Sequence, residues 1–375
     1  MRQDILDSAE VTVRGSGAAL AVVRQAKGGG WTQARLAKEA GLSQGFLSKV
    51  ESGQAEIEGE ALIAVASALE VPADLLALRD PHLGGGVSCV HHRRRRSRLA
   101  AGSARRIEGL TQLASLSATR LLEEVPHRLA SDLPELPIEN HSPEQAAQLL
   151  RAQAGIKDGE PVVDMIRLVE SFGVVIVRRD LGTDAQDAVS LRVPGRSPII
   201  VVNTALPPDR QRFSVAHEAG HLVLHGWQVS TGEDDVEQEA NDFAREIIAP
   251  AASIRPFLAG LTPRDFRPLI GLKLHWGISI AALIETAKRA GTIDSDTHQA
   301  LRMRLNTLGW RLVEPGVLPE ENPQLINSVV DLHLDTLHRS VEKVAAVALM
   351  LPQPFEYHYM SHRAALGRGG AEAVK

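Results

Sequence analysis

The stretch Arg210-Gln-Arg-Phe-Ser-Val-Ala-His-Glu-Ala-Gly-His-Leu-Val-Leu-His225 is the one around which the rest of the chain is organised. Within it, His217, Glu218 and His221 have the spacing His-Glu-x-x-His. Positions i and i+4 share one face of a helix and lie about 6 Å apart along its axis. Two imidazole nitrogens can therefore bind one zinc ion at about 2.1 Å each. Glu218 lies about 100° around the helix from His217, so we predict that it acts on water as a general base rather than as a ligand.

A chance match on a core helix is the alternative to a metal site. The residue frequencies of this chain predict on the order of 0.03 such matches over its length. The flanking residues are apolar and predict a buried helix, where a histidine pair with no partner would be costly. A metal ion would remove that cost.

Composition indicates a globular protein of two or three domains, because 375 residues with 44% hydrophobic content can form sizeable cores. No apolar run approaches the roughly 20 residues of a membrane span, and the first residues lack the apolar segment of a signal peptide. We therefore expect a cytoplasmic protein that is not in the membrane. Cys89 is the only cysteine, so the zinc ligands must be histidines and carboxylates.

The acidic span at residues 233–248 offers the third ligand. Helical phase distinguishes the candidates, because five apolar residues form one stripe: Ala240, Phe243, Ala244, Ile247 and Ile248. Glu237 falls about 60° from the centre of this stripe and Glu239 about 100° from it, so Glu237 is the better ligand. Asn241 lies one turn further along the same face and is predicted to hold a ligand histidine from the second shell.

His225 is too far along the helix to share the metal with His217, since eight residues span about 12 Å. We predict that it supports the ligands from beside them, as a capping or substrate-side residue near the helix end. The residue that stabilises the oxyanion is not determined by the sequence; His225, Tyr357 and Tyr359 are the candidates.

Five short helices are predicted at residues 17–78. The phrase from Trp31 to Gly53 (Trp-Thr-Gln-Ala-Arg-Leu-Ala-Lys-Glu-Ala-Gly-Leu-Ser-Gln-Gly-Phe-Leu-Ser-Lys-Val-Glu-Ser-Gly) resembles the repressor-type helix-turn-helix family. In that family the third helix enters the major groove of double-stranded DNA. The resemblance implies a phosphate contact from Gln33, contacts to bases or backbone from Ser43, Gln44, Gly45 and Lys49, and a homodimer.

A protein-interaction module that does not bind DNA is the alternative for these helices. Residues 1–80 contain 8 Lys and Arg against 11 Asp and Glu, which is a poor electrostatic footprint for a DNA-binding protein. Residues 14–50, however, hold six basic residues against Glu39 alone, so one side of the unit can be positive. We favour DNA binding.

The most basic window is residues 81–130, with 9 Lys and Arg against 3 Asp and Glu. Its run of arginines at 91–98 predicts either phosphate contacts beside the helix-turn-helix or a solvated linker. A helix is predicted at 105–122, followed by prolines. We therefore predict a basic, proline-containing linker with a helix over residues 81–140.

A small sheet is predicted from apolar runs at 174–177, 188–193 and 199–202, on which the His-Glu-x-x-His helix would lie. After Pro250 the chain is predicted to be helical, with helices at 263–275 and 280–290 that favour packing over a second DNA reader. Further amphipathic helices are predicted at 294–308 and 323–351.

The segment 210–225, followed by Glu237-Gln-Glu-Ala-Asn-Asp-Phe-Ala-Arg-Glu-Ile-Ile-Ala-Pro250, resembles the ImmA/IrrE family of zinc metallopeptidases. The resemblance implies zinc on His217, His221 and Glu237, with Glu218 activating water. Members of that family cut repressor proteins that control mobile-element or stress-response genes, which implies a repressor-type substrate.

We thus expect a mainly α protein with a small sheet (α+β). Its predicted parts are a helix-turn-helix domain at 12–80, the linker at 81–140, a gluzincin-like peptidase domain at 141–260, a C-terminal helical region at 261–365 and a flexible tail at 366–375. The predicted function is DNA-binding transcriptional regulation with zinc-dependent cleavage of a repressor, in trans or of its own linker. The alternative is a transcription factor or antitoxin-like protein whose metal site is not catalytic.

Overall fold

The computed structural model describes residues 13–84, 100–125, 132–226, 233–264, 266–310 and 313–363. Helices dominate these ranges, and they surround one three-stranded sheet. The predicted α+β class is therefore confirmed. The arginine run at 91–98 and the tail predicted at 366–375 lie outside the described residues.

The N-terminal unit has five helices, as predicted: α1 Gly17–Lys27, α2 Gln33–Glu39, α3 Gln44–Glu51, α4 Gly59–Leu69 and α5 Ala73–Ala77. The hydroxyls of Ser16, Thr32 and Ser43 cap the first three helices, each accepting a hydrogen bond from the backbone N–H three residues later. Leu20, Leu36 and Leu47 are fully buried in their common core. The helix caps and the spacing of the apolar residues thus explain why these helices form and pack together.

Helix α6, Ala101–Glu123, is the helix predicted within the linker. One side lies against α1 so closely that a Cβ on Gly109 would be 2.9 Å from the carbonyl oxygen of Val22. The other side contributes Ile107, Ala118 and Leu121 to a core against the sheet. The predicted linker therefore contains a packed helix that joins the N-terminal unit to the sheet, because α6 has apolar residues on two sides.

The sheet has the order β1-β3-β2, with strands β1 Val175–Arg179, β2 Ala188–Leu191 and β3 Ile199–Asn203. Central β3 is parallel to β1 and antiparallel to β2, and Ser190 lies opposite Ile200. Alternate residues face opposite sides, so Ile200 joins one core and Val201 another. Because both faces are covered, β1 begins with three apolar residues in a row and β3 with four, rather than alternating apolar with polar residues.

The face with Ile200 packs against a second group of helices: α7 Pro143–Gln153, α8 Met165–Glu170, α9 Pro208–Leu224, α10 Glu233–Ile248, α11 Ala251–Leu258, α12 Arg267–Trp276, α13 Ile280–Arg289 and α14 Ser295–Thr307. Helix α9 carries the His-Glu-x-x-His residues. Leu269 in α12 and Leu283 in α13 are buried in the same core as α9. The core thus continues past residue 260, where we predicted a domain boundary.

Within the described ranges, no single helix is both long and apolar enough to cross a membrane. Only helices α12 and α13 taken together are as long and as apolar as a membrane span, and they are bent by 100° relative to each other.

The C-terminal helices cover the opposite face of the sheet, together with α6. They are α15 Leu325–Asp331, a π-helix at Leu332–Thr336, α16 Val341–Val347 and α17 Pro352–Tyr359. The single helix predicted at 323–351 is wrong, because the chain adopts a left-handed conformation at His338 (φ 49°) and Ser340 caps a new helix. Buried His333 contacts the carbonyl oxygen of Leu121 through Nε2 at 2.9 Å, which ties this break to α6.

Glu170, at the end of α8, accepts hydrogen bonds from the backbone N–H groups of Gln324 (2.9 Å) and Leu325 (3.1 Å) at the start of α15. Burial raises the pKa of this carboxyl to about 7, despite those two hydrogen bonds. Below pH 4.5, which is the ordinary pKa of this carboxyl, the group is protonated in both the folded and the unfolded chain. Between pH 4.5 and about 7 only the unfolded chain ionises, so the folded state loses stability as pH rises through this window.

In the wild type, the free energy of unfolding should fall by on the order of 3 kcal/mol as pH rises through this window. We expect Glu170→Gln to remove this fall, because an amide does not titrate and its oxygen still accepts both hydrogen bonds. Denaturant unfolding of both proteins from pH 5 to pH 8 measures it. The difference in stability between variant and wild type should grow in favour of the variant as pH rises. Parallel pH profiles would contradict the effect of burial on Glu170.

Candidate metal centre

Helices α9 and α10 frame the candidate metal centre. Pro208 occupies the first turn of α9, and the helix ends at His225, before Gly226 with its positive φ of 46°. Helix α9 lies close against α10, because a Cβ on Gly220 would be 2.9 Å from the ring of Phe243. The glycine inside the His-Glu-x-x-His motif thus allows α9 and α10 to pack closely.

Helix α10 presents its predicted apolar stripe to the core, with all five residues fully buried: Ala240, Phe243, Ala244, Ile247 and Ile248. Glu237 is partly exposed and faces α9, near His217 and His221. The positions of the apolar residues around the helix therefore predicted correctly which side of α10 meets α9.

Three side chains converge between these helices. The Nε2 atoms of His217 and His221 are 3.0 Å apart, and each lies 3.6 Å from a carboxylate oxygen of Glu237. Two ligands about 2.1 Å from a tetrahedral zinc ion are about 3.4 Å apart, so these separations fit the donor atoms of one metal ion. The structure brings together the three residues that the sequence predicted, and the group could hold a metal ion.

The ring nitrogen of His217 that faces away from this point, Nδ1, lies 3.1 Å from the side-chain oxygen of Asn241. An amide oxygen only accepts, so Nδ1 carries the proton and Nε2 keeps its lone pair toward Glu237. Asn241 thus lies where its side-chain oxygen would fix the ring orientation of a metal-binding histidine.

His221 is held in the same way by a second histidine. Its Nδ1 lies 3.1 Å from Nδ1 of His225, and Nε2 of His225 lies 2.9 Å from a carboxylate oxygen of Glu239. Burial lowers the pKa of His225 to about 4, against the opposing effect of nearby Glu237 and Glu139. His225 and Glu239 are within ion-pair distance, but at neutral pH this contact is a hydrogen bond from a neutral imidazole.

The neutral state of His225 decides the tautomers of the pair. Nε2–H of His225 donates a hydrogen bond to Glu239, so its Nδ1 accepts a hydrogen bond from Nδ1–H of His221. The lone pair of His221 Nε2 then points to Glu237. Sequence reasoning compared Glu239 with Glu237 only as a ligand and missed this contact, which depends on the approach of α10 to the end of α9.

Glu218 faces strand β2 and is almost fully buried, at 1% exposure. One carboxylate oxygen accepts hydrogen bonds from the backbone N–H of Ser190 at 3.0 Å and from its hydroxyl at 2.7 Å. Sequence reasoning missed Ser190. A signal was present, since Ser190 is the polar residue of an otherwise apolar strand and shares its face with Ala188.

Of the three candidates for an oxyanion donor, His225 lies behind His221, and the two tyrosines lie elsewhere. His225 has both ring nitrogens engaged within the protein. Tyr359 is buried in the core on the opposite face of the sheet, where its ring packs beneath the guanidinium of Arg179, and Tyr357 is 77% exposed. Neither tyrosine lies on the α9 side of the sheet.

The predicted DNA-contacting residues belong to α2 and α3 of the N-terminal unit. Gln44, Gly45 and Lys49 are exposed on α3, and Ser43 caps that helix. Gln33 is half-buried and donates a hydrogen bond to Glu51 at 2.7 Å. The structure thus leaves four of these residues at the surface and engages the fifth within the unit.

Two segments of the chain match known protein families. Residues 169–288 match the family Peptidase_M78, described as the IrrE N-terminal-like domain, and residues 23–76 match the family described as helix-turn-helix. The radiation response metalloprotease IrrE of Deinococcus radiodurans is 30% identical over 126 residues. That alignment covers 33% of this chain and 37% of the relative's length.

The first matched segment contains the sheet and α9 to α12, and the second contains α2, α3 and α4. Both resemblances proposed from the sequence are confirmed. The chain thus contains one segment similar to helix-turn-helix domains and one similar to the IrrE N-terminal-like domain of Peptidase_M78.

Proposed function

We propose that this protein is a DNA-binding regulator with a zinc-dependent endopeptidase site, formed by His217, His221 and Glu237 as ligands and Glu218 as general base. The observation that carries the proposal is the convergence of two imidazoles and one carboxylate on a single point beside a buried glutamate. A structural zinc site would have four protein ligands, whereas the described residues offer three here. An open fourth position is what a catalytic site requires.

The bound zinc would polarise the scissile carbonyl and lower the pKa of a water molecule. Glu218 takes the proton of the attacking water and transfers it to the leaving amine. Ser190 orients this carboxylate through two hydrogen bonds to one of its oxygens. Asn241 and His225 keep the ligand nitrogens in the correct tautomer.

The substrate in this proposal is a repressor-type protein, and the site lies beside an edge strand suited to bind it. Strand β2 is at the edge of the sheet, and its Ser190 contacts Glu218. An extended peptide that adds to such an edge brings its backbone to the catalytic residues. The proposal further includes a cytoplasmic protein that acts as a homodimer on double-stranded DNA.

The test is cleavage of helix-turn-helix repressors encoded beside this gene, and of the chain itself, followed by mass spectrometry. We expect cleavage at discrete sites, its loss with a metal chelator and its return when zinc is added. Zinc-loaded protein that cuts none of these, with or without DNA, would favour the transcription factor or antitoxin-like alternative.

A further inference from the structure

A groove of about 670 Å³ lies where the N-terminal unit meets the peptidase domain. One wall is the turn between α1 and α2, including Gly28 to Gly30 and the start of α2 at Gln33. The first turns of α6, with Arg105 and Arg106, also line the groove, as do Leu181 and Gly182 from the loop between β1 and β2. Three parts of the chain thus form this groove.

The groove is positively charged. Among the residues that the structure describes, its lining includes Arg24, Arg105 and Arg106 and no carboxylate. Arg24 is neutralised by Glu51, with 2.6 Å between Nε and Oε1. Arg105 and Arg106 form no ion pair with any residue that the structure describes, so their charges are available to an anion in the groove.

Arg106 has a fixed position. Its side chain passes between Gly28 and Gly182, where a Cβ on Gly28 would lie 2.2 Å from Arg106 Cδ. Arg106 thus belongs to the contact between the two domains. Arg105, one residue earlier, is exposed, and its Nε donates to the carbonyl of Ala101 at 3.3 Å. Arg105 is therefore the residue to vary.

The mouth of the groove is open to a large ligand. Gly29 and Gly30 have positive φ angles of 52° and 82°, which glycine adopts without strain, and a Cβ on either would meet no atom within 4 Å. Trp31 follows, with the guanidinium of Arg35 4.4 Å from its ring centre. A polyanion can approach the backbone of this turn without displacing side chains.

We propose that this groove binds the phosphodiester backbone of DNA that flanks the segment contacted by α3. The inference rests on the DNA-binding part of the proposed function and adds a contact from outside the helix-turn-helix domain. Gln33 lines the groove and α2 immediately precedes α3, so a duplex held by α3 has its flanking backbone beside this wall. Bound DNA would then contact α6, which packs against the peptidase sheet.

The test is the salt dependence of duplex binding by the full chain. Each phosphate contact contributes about 0.9 to the slope of log affinity against log salt. We expect Arg105→Ala to reduce the slope by about 0.9 and Arg105→Lys to retain it. Arg304→Ala, an exposed arginine on α14, is the matched control and should leave it unchanged.

Trimming the duplex from each end in turn is the second measurement. Removal of base pairs on one flank should weaken binding by wild type several-fold and should not weaken binding by Arg105→Ala. Equal slopes and equal responses to trimming in both proteins would overturn the inference. Inorganic pyrophosphate binding that depends on Arg105, with an unchanged DNA slope, would also overturn it and would indicate a site for small anions.

Gln44→Ala combined with Lys49→Ala separates this inference from the proposed function. We expect this double variant to lose most of its sequence-specific binding, because both residues are exposed on α3. If wild type binds no duplex at any salt concentration, the DNA-binding proposal fails. If wild type binds and the double variant is impaired, the Arg105 comparison alone decides the inference about the groove.

Discussion

Glu218→Gln should abolish peptide cleavage while zinc and DNA binding stay at wild-type levels. The amide has the size of the carboxylate, and its oxygen can still accept both hydrogen bonds from Ser190. It cannot take a proton from water at neutral pH, so only the chemical step is lost. The loss of an acid–base group typically reduces the rate by about 10² to 10⁴.

The measurement is the initial rate of cleavage by wild type and variant at equal zinc content. Glu60→Gln is the matched control, because Glu60 is an exposed glutamate in the N-terminal unit. It should cut at the wild-type rate. Cleavage by Glu218→Gln within a few-fold of wild type would show that another group is the base, whereas loss of zinc or of DNA binding would indicate a disturbed fold.

Replacement of a proposed metal ligand should remove both zinc and cleavage. We expect wild type to bind about one zinc ion per chain, and His221→Ala or Glu237→Ala to bind none at micromolar free zinc. Each substitution leaves two of three converging donors. Since tight zinc binding depends on the complete set of protein ligands, the affinity for zinc should fall by orders of magnitude.

Elemental analysis after dialysis against buffered zinc measures the stoichiometry. Asp235→Ala provides the control, because Asp235 is an exposed carboxylate on the same helix, two residues before Glu237. It should retain the ion. Full zinc content in both His221→Ala and Glu237→Ala would refute the proposed ligands. Glu239→Gln should have a smaller effect, since Glu239 contacts only the histidine behind His221.

Much of this centre was accessible to sequence reasoning because the spacing of residues on a helix is a local property. Two histidines four residues apart face the same way in any α-helix. The apolar stripe of α10 likewise shows which side of that helix is buried, and therefore where Glu237 points. The N-terminal helices follow from their caps and apolar spacing.

The sequence by itself thus determined the α+β class, the helix-turn-helix and IrrE-like regions, and the three residues that converge between α9 and α10. Only the tertiary structure decided what those residues contact from other parts of the chain. Ser190 reaches Glu218 because β2 forms the edge of the sheet beside α9, and Glu239 reaches His225 because α10 lies against the end of α9. The role of α6 as a packed helix and the break at His338 were decided in the same way. Periodicity shows that a face is buried, but the partner of that face depends on contacts between residues far apart in sequence, which local patterns do not encode.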